Sequence, residues 1–244
     1  MLSRKEYSRR VTAVILGAGQ GTRMGYHINK VFLPVLGKPI IVYAIETFEH
    51  CSSVDEVILV AAAGEEKQMA QIVHHASCKK VSHIVRGGAT RHESEFCALE
   101  LLRPSIDAGN IEIVLIHDGA RPFISVEKVE QLIRKTRESD GAILAVPLEE
   151  EERIAQVDST HLVQRSFERQ QAWKAQTPQA FQASFLLRAY DQAQRDQFYG
   201  FDTAASVERF GGRVAIVQGD AVNLKITTAE DLLLAERLSS FRRF

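Results

Sequence analysis

The sequence is poor in cysteine and has no long apolar run. Its three cysteines, Cys51, Cys78 and Cys97, are widely spaced in 244 residues, and this pattern fits neither a disulfide framework nor a zinc site. No apolar run approaches the roughly 20 residues that a membrane-spanning helix needs. The charged segment MLSRKEYSRR leads directly into an apolar run and lacks the features of a secretory signal. We therefore expect a cytoplasmic protein with free thiols and no membrane partner.

The sequence also lacks an excess of charge of either sign. The chain has 30 basic and 31 acidic residues, a net charge of −1, whereas broad nucleic-acid binding needs a strong basic excess. The hydrophobic fraction of 45% and the charged fraction of 25% are ordinary for a globular protein. We expect one domain over residues 1–244 without a nucleic-acid partner, and a local basic cluster around a small anion is compatible with this balance.

Short apolar runs alternate with amphipathic segments along the chain, which predicts an α/β fold with a mostly parallel sheet. The predicted strands are Val11–Leu16, Val57–Ala61, Val81–Val85, Ile111–Ile116, Gly141–Val146 and Val214–Val217. The predicted helices are Pro39–Glu49, Glu65–His75, Arg91–Leu102, Val126–Ser139, Phe185–Gln194, Asp202–Phe210 and a closing helix from an N-cap at Thr228 to Leu238. Ligands of such sheets bind beyond the carboxyl ends of the strands, so the loops after the strands are the place to look for a site.

Residues 148–173 break this alternation. The segment is polar, and its pieces at 153–157 and 162–167 alternate weakly. We expect either a protruding β-arm used in subunit contact or a mobile flap.

The first predicted strand is followed by a glycine-rich loop, LGAGQGTRMG. A phosphate-binding Walker loop requires Lys and Ser or Thr after its last glycine, but Gly21 is followed by Thr22 and Arg23. A dinucleotide fingerprint requires a third glycine where Thr22 stands. The glycines still allow backbone N–H groups to approach phosphate oxygens.

Arg23 and Lys30 indicate which reaction this loop could catalyse. Attack on an α-phosphate concentrates negative charge on the reacting phosphate and on the departing pyrophosphate, and fixed cations stabilise that charge. Arg23 offers a planar fork of donors and Lys30 a mobile point charge. The loop therefore favours a nucleotidyltransferase over a plain turn.

Five segments then occur in one order over nearly the whole chain: GAGQGTRMG…NK, RGGATRHES, HDGARPF, WKAQTPQAF and NLKIT. With these segments the chain resembles the 2-C-methyl-D-erythritol 4-phosphate cytidylyltransferase family. The resemblance implies a doubly wound α/β sheet, and a β-arm at 148–173 that interlocks two subunits into a homodimer. It also implies transfer of CMP from CTP, with Mg²⁺, to a polyol phosphate by in-line displacement without a general base.

The resemblance also assigns roles on the CTP side. Arg23 and Lys30 match the two cations that stabilise the transition state. The backbone of Gly17, Ala18 and Gly19 would wrap CTP.

The cytosine and ribose would be read within the RGGATRHES segment. Gly88 and Ser94 match the positions that do so.

On the acceptor side, three further residues match: Asp118, Arg169 and Lys225. Asp118 would contact the acceptor polyol or the metal, and Arg121 is expected to pair with it. Lys225 and, from the arm of the neighbouring subunit, Arg169 would position the acceptor's phosphate.

Three alternatives stay open on the sequence. Ribitol 5-phosphate is a second candidate acceptor, although Trp173 favours methylerythritol phosphate. An NAD-dependent oxidoreductase is disfavoured because Thr22 replaces a glycine and the second strand ends in Ala-Ala-Ala-Gly. A non-catalytic nucleotide-binding protein would tolerate loss of the cations Arg23, Lys30 and Lys225, all of which are present.

Overall fold

A computed structural model describes residues 9–19, 28–149, 154–167 and 172–241. The strands are β1 (Arg10–Leu16), β2 (Pro34–Val35), β3 (Lys38–Pro39), β4 (Glu56–Ala61), β5 (Val81–Arg86), β6 (Ile111–Asp118), β7 (Gly141–Pro147), β8 (Ala155–Val157), β9 (Val163–Ser166), β10 (Trp173–Gln182) and β11 (Val214–Gln218). The helices are α1 (Ile40–His50), α2 (Glu66–His75), α3 (Arg91–Asp107), α4 (Val126–Thr136), α5 (Ala183–Arg195), α6 (Thr203–Arg209) and α7 (Ala229–Phe241), with a short 3₁₀ helix at Lys30–Phe32.

Seven strands form one mixed sheet in the order β11-β7-β10-β6-β1-β4-β5. Strand β10 is antiparallel to both β6 and β7, and the other four pairings are parallel. Helices cover both faces, with α1, α2 and α4 on one side and α3, α5 and α6 on the other. The predicted doubly wound, mostly parallel sheet is confirmed.

Strand β1 explains why most of the predicted strands lack polar alternation. Successive side chains of a strand point to opposite faces. In β1, Val11, Ala13 and Ile15 join the core on the α1 side, and Val14 joins the core on the α3 side. A strand buried on both faces therefore has no polar alternation.

Strand β10 is the one strand of the seven-stranded sheet that the sequence analysis missed. Its sequence, WKAQTPQAFQ, contains a proline and three glutamines, which are unusual in a central strand. The pairing with β7 is irregular between Ala175 and Gln179, so Pro178, which has no N–H to donate, lies where the ladder is interrupted. Gln179 is buried, but its amide donates to Asp202 at 2.8 Å and accepts from the Ala204 N–H at 3.1 Å.

The helix predictions agree with the structure in position, and most ends differ by one to three residues. The largest difference is at α3, which was predicted to end at Leu102 and continues to Asp107 with Pro104 inside it. Ile106 is buried in the core beneath this last turn, and its burial offsets part of the cost of Pro104 inside the helix. The predicted N-cap at Thr228 accepts the Asp231 N–H at 3.3 Å.

Within the 148–173 segment, residues 154–167 form a β-ribbon outside the seven-stranded sheet. Strands β8 and β9 pair antiparallel in a separate two-stranded sheet, and several of its apolar side chains are exposed: Ile154, Val157, Leu162, Val163 and Phe167. Residues 150–153 and 168–171 lie outside the described residues.

Within the described part of the chain, no α-helix has both the length and the apolar character that crossing a bilayer requires.

Candidate active site

A cavity of about 610 Å³ opens at the carboxyl edge of the sheet. It is lined by the ends of β1 and β6, by the segments that follow β1, β4, β5 and β6, and by Lys225 and Thr227 before α7, as expected for an open α/β sheet. Its charged lining residues, among those described, are the cations Lys30, Arg91 and Lys225 and the single carboxylate Asp118. The excess of cations suits an anionic ligand.

The glycine-rich segment lies on one side of this cavity. Ala18 and Gly19 line it, and a Cβ added at Gly19 would meet nothing within 4 Å. Gly17 serves packing, because a Cβ there would lie 2.8 Å from Met69 Cε and 3.1 Å from the Val60 carbonyl. Arg23, the predicted partner of Lys30, lies outside the described residues.

Lys30 reaches the cavity from the first turn of the 3₁₀ helix and is 9% exposed. The preceding residue, Asn29, fixes this turn. Its side-chain amide donates to the Gly17 carbonyl and to Glu65, both at 2.7 Å, and its oxygen accepts the Val31 N–H at 3.2 Å. Asn29 thus ties Lys30 to the glycine segment.

Gly88, in the loop after β5, and Ser94, on α3, line a further part of the cavity. Thr90 caps α3 by accepting the Glu93 N–H at 3.1 Å, and the Glu93 carboxylate accepts the Ala89 N–H at 2.7 Å. A Cβ at Gly88 would lie 2.3 Å from that of Glu93. The loop is therefore held by α3 in a form that only glycine fits at Gly88.

Asp118, at the end of β6, holds the cationic side of the cavity together. One carboxylate oxygen, Oδ1, pairs with Arg91 Nη1, and the other, Oδ2, lies 2.7 Å from Lys225 Nζ and 3.8 Å from Arg121 Nε. Burial alone would raise the pKa of Asp118, but Arg91 and Lys225 outweigh burial and hold this pKa well below its usual range. Asp118 is ionised at any physiological pH.

Arg121 contacts Asp118 less closely than Lys225 does. Its Nη1 donates to the Asn223 carbonyl at 2.7 Å, and its side chain is 13% exposed. Arg121 does not line the cavity. It supports the segment that carries Lys225.

Arg91 is the site residue that sequence reasoning missed. The sequence predicts only that it begins α3, yet it lines the cavity and contacts two carboxylates, Asp118 and Glu95. The sequence gives little indication that Arg91 belongs to the site. Its partner Asp118 is 27 residues away along the chain, and an arginine at the start of a helix is common.

His117 connects β6 to β10 beneath the cavity. It is fully buried, with Nε2 3.1 Å from the Arg121 carbonyl and Nδ1 3.2 Å from Thr177 Oγ1. Because a carbonyl only accepts, Nε2 carries the proton and Nδ1 accepts from the Thr177 hydroxyl, which itself accepts the Asp118 N–H at 3.0 Å. Burial lowers the pKa of His117 to about 4, so the ring is neutral at physiological pH.

Among the described residues, none from the 148–173 segment lines the cavity. Arg169 lies outside the described residues. Trp173, at the start of β10, is 38% exposed and does not line the cavity.

Comparisons with known proteins identify the family of this chain. A model of 2-C-methyl-D-erythritol 4-phosphate cytidylyltransferase matches residues 11–240. Enzymes of that name from Shouchella clausii and Bacillus licheniformis are 39% and 40% identical to the chain, covering 93% and 92% of it and 95% and 94% of their own lengths.

Solved structures agree. The 4-diphosphocytidyl-2C-methyl-D-erythritol synthase of Anaerococcus prevotii superposes with a TM-score of 0.81 at 28% identity, over 95% of this chain and 96% of that one. The 2-C-methyl-D-erythritol 4-phosphate cytidylyltransferase of Thermus thermophilus gives 0.73 at 28% identity, over 95% of this chain and 99% of that one.

The buried neutral state of His117 predicts a pH dependence of stability. The folded pKa of about 4 lies below the ordinary value of 6.5, so between these values the unfolded chain binds more protons. The neutral ring contributes fully to the free energy of unfolding above pH 6.5. As the pH falls toward 4, this free energy drops by about 3 kcal/mol. Urea unfolding at pH 7, 6, 5 and 4 is expected to show this loss in the unsubstituted protein and to show it reduced in His117→Asn.

The matched control is His83→Gln, which removes an exposed histidine. Equal pH dependence of the unsubstituted protein and His117→Asn would show that His117 is not held neutral.

Proposed function

The chain belongs to the 2-C-methyl-D-erythritol 4-phosphate cytidylyltransferase family, and on that premise we propose how its cavity performs the family's reaction. The enzyme transfers CMP from CTP to 2-C-methyl-D-erythritol 4-phosphate and releases pyrophosphate. The reaction is a step of the non-mevalonate route to isoprenoid precursors. The observation that carries the proposal is one cavity with glycine-containing loops on two sides and cations around Asp118.

CTP occupies the side of the cavity between the glycine segment and the loop after β5. The backbone of Ala18 and Gly19 wraps the triphosphate, and Gly88 and Ser94 read the cytosine and ribose. Gly17, whose N–H donates to the Val60 carbonyl at 2.7 Å and whose carbonyl accepts from Asn29, holds this segment in place. Two observations support this placement. The space at Gly19 is open, and the loop that carries Gly88 is fixed to α3 by Glu93.

The acceptor occupies the side near Asp118. Lys225 receives its phosphate, and Asp118 orients Lys225 and faces the polyol. Arg121 supports this pair through the Asn223 carbonyl. The contact of 2.7 Å between Lys225 and Asp118 supports the assignment, since it places an ammonium group at the cavity wall.

The chemical step is an in-line displacement. The acceptor's phosphate oxygen is ionised near neutral pH, attacks the α-phosphorus of CTP and displaces pyrophosphate, so one P–O bond forms as another breaks. Arg23 and Lys30 stabilise the charge that develops on the phosphates. No side chain has to remove a proton, and positioning supplies much of the acceleration.

We assign Mg²⁺ as the metal and expect it to enter with CTP. Asp118 is the only carboxylate that lines the cavity among the described residues, and two cations already occupy its oxygens. The described residues contain no cluster of three or more metal-ligating side chains. This donor set suits a metal held mainly by the triphosphate, where Mg²⁺ neutralises phosphate charge.

The active form is a homodimer in this proposal. The ribbon of β8 and β9 exposes apolar side chains, among them Leu162 and Val163, and packing against a second copy would bury them. Arg169, on the arm, would then reach the acceptor's phosphate in the neighbouring subunit. We place the enzyme in the cytoplasm, where CTP is available and where the free thiols of Cys51, Cys78 and Cys97 stay reduced.

Substrate specificity gives the direct test of this function. With CTP, the enzyme is expected to release pyrophosphate with methylerythritol phosphate and not with ribitol 5-phosphate, and ATP, GTP and UTP are expected to be poor donors. A coupled pyrophosphate assay across this panel measures it. Equal release with ribitol 5-phosphate would assign a different acceptor, and NAD reduction without pyrophosphate release would exclude the transferase.

Lys30→Ala is expected to lower kcat by on the order of 10²-fold or more, the usual cost of losing one preorganised donor to a transition state. Lys38→Ala is the control, because Lys38 pairs with Glu46 at 2.6 Å outside the cavity. Steady-state kinetics with both variants measure the difference. An unimpaired Lys30→Ala enzyme would remove Lys30 from the mechanism.

A further inference from the structure

The mechanism above leaves one buried carboxylate unused. Glu95, on the second turn of α3, is 1% exposed. Its Oε2 accepts from the Tyr190 hydroxyl on α5, and its Oε1 accepts from the Thr203 hydroxyl at the start of α6 at 3.0 Å. Burial raises the pKa of Glu95, and Arg91 and the two hydroxyls oppose this rise. Three helices thus converge on one carboxyl group behind the cavity.

Arg91 joins this carboxyl group to the cavity. Its Nε lies 2.9 Å from Glu95 Oε1, and its Nη1 contacts Asp118 Oδ1. An arginine commonly engages both oxygens of one carboxylate. Here two different carboxylates share the guanidinium, so Asp118 uses only one oxygen for Arg91.

The second oxygen of Asp118 is therefore left for Lys225, whose Nζ lies 2.7 Å from Oδ2. If Arg91 rotated to engage both oxygens of Asp118, it would compete with Lys225 for Oδ2. The contact with Glu95 opposes that rotation.

We propose that Glu95, anchored by Tyr190 and Thr203, is a positioning residue for the acceptor site: it orients Arg91 so that Asp118 keeps one oxygen for Lys225. This inference rests on the proposed role of Lys225 toward the acceptor's phosphate. Glu95 acts through Arg91 and Asp118 and does not itself contact the substrate.

A purely structural role is the competing explanation. Buried ion pairs add little stability on average, because desolvation offsets their attraction. A structural role would change the free energy of unfolding without separating the two substrates. If Glu95 positions Arg91, its loss changes the KM for the acceptor and not the KM for CTP, because the loop that carries Gly88 is held by Glu93 and Thr90.

The test is steady-state kinetics of Glu95→Gln, which keeps the shape of the side chain and removes its charge. We expect the KM for methylerythritol phosphate to rise roughly tenfold and kcat to fall, because Arg91 loses the ionic contact with Glu95 that orients its guanidinium. The KM for CTP is expected to change by about twofold or less, since independent sites do not couple.

Tyr190→Phe and Thr203→Val test the position of the Glu95 side chain separately from its charge. Both keep the Glu95 carboxylate and remove one of its hydroxyl partners, so they are expected to shift the acceptor KM in the same direction by a smaller factor. Thr136→Val is the matched control: Thr136 is also fully buried and hydrogen-bonded, to the Leu132 carbonyl at 2.9 Å, but it lies on α4 away from the cavity. It is expected to lower stability to urea and leave both KM values unchanged.

Several results would overturn the inference. An equal change in the KM for CTP and for the acceptor in Glu95→Gln would show a general effect of charge. Unchanged kinetics with lowered stability would show a purely structural role. Lys225→Ala separates failure of the Glu95 inference from failure of the proposed role of Lys225. If Lys225→Ala raises the KM for the acceptor and Glu95→Gln does not, only the role of Glu95 is wrong. If Lys225→Ala leaves the KM for the acceptor unchanged, the assigned role of Lys225 is itself wrong.

Discussion

The pairing of Asp118 with its surrounding cations is the interaction on which the rest of the site depends. A carboxylate this deeply buried is costly unless it is paired, and Arg91, Lys225 and Arg121 surround it. These cations come from α3, from the segment after β11 and from the loop after β6. One charge therefore draws together parts of the chain that are distant in sequence.

The sheet places that charge. Strand β6 lies between β1, to which it is parallel, and β10, to which it is antiparallel. Thr177 on β10 accepts the Asp118 N–H and bonds to His117, so the backbone at the carboxylate is fixed from a neighbouring strand. Rigid placement of this kind lets electrostatic stabilisation act without reorganisation during the reaction.

The cavity then divides into two parts with different physical character. One part is built mostly from backbone, at the glycine segment and at Gly88, and we propose that it takes the donor by close approach. The other is built from charged side chains around Asp118, and we propose that it takes the acceptor. Helix α3 contributes Ser94 and Arg91 to the lining of the cavity.

The sequence was sufficient to predict the parallel part of the sheet, because its strands are short apolar runs, most of them without polar alternation. It was not sufficient for β10, whose buried glutamines depend on partners such as Asp202 that only the fold brings near. The glycines and Lys30 could be found from local spacing. Arg91 and Glu95 could not, because their roles arise from contacts with Asp118, Tyr190 and Thr203 across the fold.

The most direct test of this account is Asp118→Asn, which keeps the size of the side chain and removes the shared charge. The account predicts that kcat/KM for methylerythritol phosphate falls by on the order of 10²-fold or more, since breaking a buried charge pair costs about 3–5 kcal/mol. Calorimetric binding of CTP is expected to stay within about threefold, below about 1 kcal/mol. Unchanged use of the acceptor by Asp118→Asn, or equal losses for CTP and the acceptor, would contradict the account.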